Sequence, residues 1–197
     1  MKIIGLTGTI ASGKSTVAKY LKEQGIPVFD ADAIVHDLYN NDQIVIEKIR
    51  EIFPEAIANH QVDRKKLSRA IQNNETLLTK IEDVVHPIVS LRRREFLERH
   101  ADRQKDIVIL DIPLLFEKRL ENSVDEIILV ITSPELQIKR AMERQDMSEQ
   151  KIKFILSHQL PHDVKISKSQ YIIENTSTIE SLHKKIDQVI NRIREKI

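Results

Sequence analysis

The stretch Gly8-Thr9-Ile10-Ala11-Ser12-Gly13-Lys14-Ser15 admits few folds. It satisfies the pattern G-x-x-x-x-G-K-[ST] at every fixed position, and that pattern works only as a turn between a buried strand and a helix N-terminus. Its flanks agree with that setting. Lys2-Ile3-Ile4-Gly5-Leu6-Thr7 is short, β-branched and apolar, which predicts a buried strand. Val17, Ala18 and Leu21 recur at helical spacing, which predicts a helix from about Lys14. Backbone N–H groups and the helix dipole then converge on one point and make an anion cradle. Gly8 and Gly13 let the backbone turn and approach a phosphate with no Cβ in the way. Lys14 brings compact positive charge to the β- and γ-phosphates. Ser15 offers a hydroxyl to Mg²⁺, and Thr16 one near the α-phosphate. A glycine turn occurring by chance needs neither the strand nor the helix. The expected ligand is ATP with Mg²⁺, held by Gly8, Ala11, Ser12, Gly13, Lys14, Ser15 and Thr16. The loop does not say what receives the phosphate.

Composition narrows the remaining choices. The 197 residues suffice for one core with an insertion, or for two small lobes. A net charge of +1 gives no electrostatic reason to expect nucleic acid or an anionic membrane. The absence of cysteine excludes disulfides, thiolate metal sites and cysteine nucleophiles, and it fits a reducing compartment. The first strand begins at once, so no signal peptide is expected, and no apolar run nears the roughly 20 residues of a membrane helix. Without tryptophan, stacking platforms for single-stranded nucleic acid are disfavoured. The expectation is a cytoplasmic protein, monomeric or a weak homo-oligomer, acting on a small molecule.

After the first helix, Ile26 to Phe29 reads as a second strand and Asp30-Ala31-Asp32 follows at its C-terminal end, where open α/β sheets bind ligands. One aspartate can cap the next helix; the other is then free for chemistry. From Ala33 to about Arg99 the pattern is helical with no strand signal. Leu77, Leu78, Ile81, Val84, Val85, Ile88 and Leu91 form one stripe, and Pro87 should kink or interrupt that helix. Such a stretch exceeds one crossover helix and reads as an insertion suited to a second substrate. Arg92-Arg93-Arg94 sits among acids and reads as a solvated mixed-charge face.

Asp106 to Asp111 is the third strand, an apolar run ending in an acid that would sit near Mg²⁺, directly or through water. Asp125 to Ile131 is the fourth. Ser133-Pro134 starts a helix carrying Arg140 and Arg144 on one face. These arginines could close over a triphosphate or pair with Glu143 and Asp146; position and spacing fit both. A further helix is expected from Ser148 to about Gln159, then a fifth strand over Gln170 to Ile173. A last helix, Ile179 to Ile197, carries Leu182, Ile186, Val189, Ile190 and Ile193 on its buried stripe.

A phosphate loop with an acid after strand two supports phosphoryl transfer to an alcohol. Asp32 is the candidate base, with Asp30 as the alternative. The core is expected over 1–32 and 103–197, with a lid at about 138–165 and the acceptor-binding insertion over 33–102. A GTPase switch is disfavoured because no N-K-x-D stretch occurs. A kinase of another small alcohol or nucleoside, and an ATP-switched binding protein, remain as alternatives.

The ordered set of motifs resembles the dephospho-CoA kinase family almost end to end. It comprises Gly5-Leu6-Thr7-Gly8, Ser12-Gly13-Lys14-Ser15-Thr16, Asp30-Ala31-Asp32 with His36, Asp63-Arg64 with Leu67, His86-Pro87, Pro113-Leu114-Leu115 with Glu117, Arg140, Arg144, Gln159, Ile173 and Asn175. The resemblance implies transfer of the γ-phosphoryl of ATP to the 3′-hydroxyl of dephospho-CoA. It implies Asp32, Lys14 and Arg140 as catalytic residues, and Asp32, Arg64, His86 and Leu114 against the acceptor. Arg140, Arg144 and Asn175 would meet the nucleotide, and Ser15 and Asp111 the metal. It also implies the α/β P-loop kinase fold, with five parallel strands in the order 2-3-1-4-5. Three positions depart from the family pattern. Ala11 stands where many relatives have glycine, which is tolerable with a negative φ. Ile155 stands near a usual lid arginine. No glycine precedes Asp63-Arg64.

Overall fold

The computed structural model describes residues 1–72, 74–143, 147–157 and 159–197. They fall into two compact units, Met1–Phe29 with His100–Ile197, and Asp30–Arg99.

The first unit is built on a five-stranded parallel sheet. Its strands are β1 (Lys2–Gly8), β2 (Val28–Asp30), β5 (Ile107–Asp111), β6 (Glu126–Ile131) and β7 (Tyr171–Glu174), in the order β2-β5-β1-β6-β7. Counted among the sheet strands alone, this is the expected order. β1 lies in the middle, with Ile4 opposite Ile109 on one side and opposite Glu126 on the other. Its run is apolar because both faces of a parallel sheet are covered. One face packs on α1 (Lys14–Glu23) and α9 (Ile179–Arg194). There Ile4, Leu6, Ile107 and Ile128 meet Val17 and Leu21, and all five residues of the α9 stripe are buried. On the other face Leu115, Phe116 and Ile127 form a second core. A Cβ on Gly5 would stand 2.7 Å from Leu115 Cδ1, so a side chain there would have to displace the buried Leu115.

The second unit holds α2 (Ala31–Asn41), α3 (Gln43–Ile52), α4 (Arg64–Ile71) and most of α5 (Glu75–Asp102). Its core joins Leu38, Val45, Ile49, Leu67, Ile81 and Val85. The sequence predicts no strand here, and the structure corrects that. β3 (Ile57–Ala58) and β4 (Gln61–Val62) pair antiparallel. Asn59 and His60 join them at φ 50 and 62, the double left-handed turn of a two-residue hairpin. α5 runs through Pro87 rather than breaking there. Pro87 and Asp83 are both exposed, so water can serve the carbonyl left without a donor.

The remaining helices are α6 (Pro134–Met142), α7 (Glu149–Ser157) and α8 (His162–Ser167). Ser133 caps α6 by accepting from Leu136 N–H, with Pro134 opening the helix as expected. The sequence reading contains no counterpart of α8, and it places β2 and β7 a residue or two early.

Candidate active site

The glycine loop leaves β1 through a tight turn in which Ser12 N–H donates to Thr9 O at 3.2 Å. Ala11, at the third position of that turn, has φ 57. The negative φ that would make alanine tolerable is not adopted, and a side chain occupies the left-handed region where glycine is at ease. Gly13 follows at φ 91 and opens α1. No described side chain caps that helix, and no acid sits in its first turn. Thr16 N–H turns back to Gly13 O at 3.0 Å, so the dipole and the N–H groups ahead of it are what the turn offers an anion. Ser15 and Thr16 are exposed in that turn.

Lys14 Nζ makes an ion pair with Asp111 Oδ1, with the two side chains only 16% and 5% exposed. The pair forms because β1 and β5 are neighbours in register, Leu6 opposite Asp111. The acid at the end of β5 is thus held against the lysine of the loop.

Asn175, just past β7, is the hub of the loop's far wall. Its Nδ2 donates to Ser12 O at 2.9 Å. Its carbonyl accepts from Thr132 Oγ1 at 2.8 Å and from Arg140 Nη1 at 3.1 Å. Gly13 is held to glycine twice over, by its left-handed φ of 91 and because a Cβ there would lie 2.1 Å from Asn175 Nδ2. A cleft of about 380 Å³ opens beside the loop between Gly13, Thr16, Arg140, Asn175, Ser177 and Ile179. Arg140 lines it and is already anchored on α6. Arg144 lies outside the described residues.

A second layer stands behind the loop. Gln137 is 3% exposed on α6, and its Nε2 donates to Ile10 O at 2.9 Å. Gln159 Oε1 accepts from Ile10 N–H at 3.4 Å. Next along, Leu160 N–H donates to Glu117 Oε1 at 3.0 Å, and the fully buried Lys165 places Nζ 2.7 Å from the same oxygen. Burial pushes the Glu117 carboxyl up, but the Lys165 ammonium and the Leu160 N–H outweigh it and hold it below its ordinary value. Sequence reasoning missed Gln137, Thr132 and Lys165. A lysine or glutamine inside a helical pattern reads as surface, and only Gln137's spacing to the buried Ala141 hinted otherwise.

Of the other expected site residues, Asp30, Asp32, Arg64 and His86 belong to the second unit and Leu114 to the first. Asp30 caps α2 by accepting from Ala33 N–H at 3.0 Å. Asp32 is exposed in the first turn of α2. Arg64 is exposed and opens α4 behind its cap Asp63. His86 is exposed on α5, with Nε2 3.7 Å from Glu82 Oε1. Leu114 is exposed beyond β5, after Pro113, whose carbonyl accepts from Thr7 Oγ1 at 3.1 Å.

A glycine loop leaving the middle strand, a helix behind it with no described side-chain cap and an acid on the neighbouring strand define a P-loop nucleotide-binding protein. Related proteins narrow the class. The family model described as dephospho-CoA kinase matches residues 2–181. The chain is 42% identical over 193 residues to the dephospho-CoA kinase of Bartonella quintana, covering 98% of each. It is 39% identical to that of Fusobacterium nucleatum over 97% of this chain and 98% of the other. The solved dephospho-CoA kinase from Campylobacter jejuni superposes with a TM-score of 0.72 at 28% identity over 98% of each chain. A shikimate kinase from Bacteroides thetaiotaomicron, at TM-score 0.55 and 12% identity over 98% of each, shares the fold alone. The chain belongs to the dephospho-CoA kinase family.

Proposed function

We propose that this enzyme transfers the γ-phosphoryl group of ATP to the 3′-hydroxyl of dephospho-CoA, giving coenzyme A and ADP. The observation that carries the reading is the loop in which Lys14 and Asp111 meet at an uncapped helix N-terminus. Lys14 and Arg140 bind the charge that builds on the transferring group. The 380 Å³ cleft between Arg140 and Asn175 takes the nucleotide. The bond from the γ-phosphorus to the bridging oxygen breaks as the bond to the acceptor oxygen forms. Asp32 takes the acceptor's proton. Asp30 is occupied as a helix cap, which favours Asp32 for that role. Residues of the second unit, Arg64 and His86 among them, bind the acceptor, as does Leu114.

Mg²⁺ fits the donors present. Among the described residues no cluster of three or more His, Asp or Glu could hold an ion alone. Ser15 and Asp111 supply the hydroxyl and single carboxylate that Mg²⁺ uses when phosphates complete its shell. Bound there, it would neutralise charge on the phosphates. Among the described residues no helix is long and apolar enough to cross a membrane, and we place the enzyme in the cytoplasm, where ATP is supplied.

The test is incubation with ATP and Mg²⁺ and dephospho-CoA, adenosine or no acceptor, followed by product mass. Phosphorylation of dephospho-CoA is expected. Phosphorylation of adenosine alone would indicate a kinase of another alcohol, and no transfer with retained ATP binding would indicate a nucleotide switch. Asp32→Asn is expected to lower kcat by roughly 10²–10⁴-fold with ATP affinity kept; an unchanged kcat removes Asp32 from the chemistry.

A further inference from the structure

The turn from Thr9 to Ser12 has two possible forms. With φ positive only at its third residue, Ala11, it is of type II, which calls for glycine at that place. The type I turn spans the same ends with the middle peptide turned over, and alanine enters it without strain. The peptide between Ile10 and Ala11 therefore has a relaxed orientation that the structure does not use.

The buried Gln137 amide explains the choice. Its Nε2 reaches Ile10 O at 2.9 Å, and that carbonyl belongs to the peptide whose orientation is at issue. Turning the peptide over would swing the carbonyl away and leave a buried amide without its acceptor. α6 holds the amide in place. Gln137 N–H bonds Ser133 O at 2.8 Å, and Ala141, one turn on, packs with Ala11 and Ile152. Gln159 holds the N–H of the same residue, Ile10.

We propose that Gln137 is a positioning residue of the phosphate loop, fixing the Ile10–Ala11 peptide in the orientation that ATP binding requires. It acts through the loop backbone and touches no substrate. The inference rests on the reading of the loop as the ATP site, but not on the identity of the acceptor.

The experiment is an ATP titration of the full chain without acceptor, together with the KM for each substrate. Gln137→Met removes the donor at similar volume. It is expected to weaken ATP binding roughly tenfold while leaving the acceptor's KM unchanged. Ala11→Gly makes the left-handed conformation easy. In that background the loss from Gln137→Met is expected to shrink to about twofold, because the two changes act on one peptide. Circular dichroism checks folding. If methionine prevents folding, Gln137→Asn, which withdraws the amide by one methylene, is expected to give the same order of effects. Undiminished ATP affinity in Gln137→Met, an equal loss with and without Ala11→Gly, or an equal rise in both KM values would each overturn the proposal. A wild-type chain that binds ATP but does not phosphorylate dephospho-CoA would overturn the assigned reaction and leave Gln137's role standing.

Discussion

Gly13 and Gly25 share a left-handed backbone, at φ 91 and 74, and differ in what surrounds them. A Cβ on Gly25 would meet nothing within 4 Å, whereas one on Gly13 would lie 2.1 Å from Asn175 Nδ2. Gly25→Ala is expected to cost only the left-handed backbone term, about 1–2 kcal/mol, and to leave ATP binding alone. Gly13→Ala bears the same term and also expels the Asn175 amide from Ser12 O. That exposes a buried carbonyl to a further loss of about 1–3 kcal/mol and disturbs the wall of the nucleotide cleft. Calorimetric unfolding with ATP titration separates them. Equal effects of the two substitutions on ATP affinity would mean that Asn175 does not support the loop.

At the scale of elements, the Glu117–Lys165 ion pair ties the segment leaving β5 to α8. Lys165 is fully buried, so Glu117→Gln leaves an uncompensated cation and is expected to cost about 3–5 kcal/mol at neutral pH. Adding Lys165→Met should recover much of that, because removing both charges removes the desolvation penalty along with the attraction. Acid supplies a second reading. The folded state holds the Glu117 carboxyl below its ordinary value of 4.5. The pair's stabilisation is therefore complete above that value and disappears as pH falls through the lower, folded value. Urea unfolding of Glu117→Gln should show a shallower decline than wild type below about pH 4.5; parallel declines would assign the acid sensitivity elsewhere. Neither Lys165 nor α8 was visible in the sequence, since a six-residue helix shows too little periodicity and lysine reads as solvent-facing. The long signals were legible: the glycine loop between β1 and α1, the apolar run of β5 and the α9 stripe. The β3–β4 hairpin was hidden because two-residue strands carry no alternation. The φ of Ala11 was hidden because a glutamine more than a hundred positions away holds the preceding peptide.

On the scale of the whole molecule, the chain divides into a sheet-bearing unit with the phosphate loop and a helical unit, Asp30–Arg99, to which we assign the acceptor. That division makes the two ligands separable by experiment. A ligand at a hundred times its dissociation constant adds about 2.7 kcal/mol to stability. For a chain of this size each kcal/mol moves Tm by roughly 2–4 °C, so saturating MgATP should raise Tm by about 5–10 °C. Hydrogen exchange then locates the effect. ATP should slow the amides of residues 8–16, where α1 begins without a cap, and of Asn175. Dephospho-CoA should slow amides in α2 and around Arg64 at the start of α4. The second outcome carries the weight, because a phosphate loop alone accounts for the first. Protection by dephospho-CoA confined to the sheet-bearing unit would withdraw the acceptor role from Asp30–Arg99 and leave Asp32 without a substrate to deprotonate.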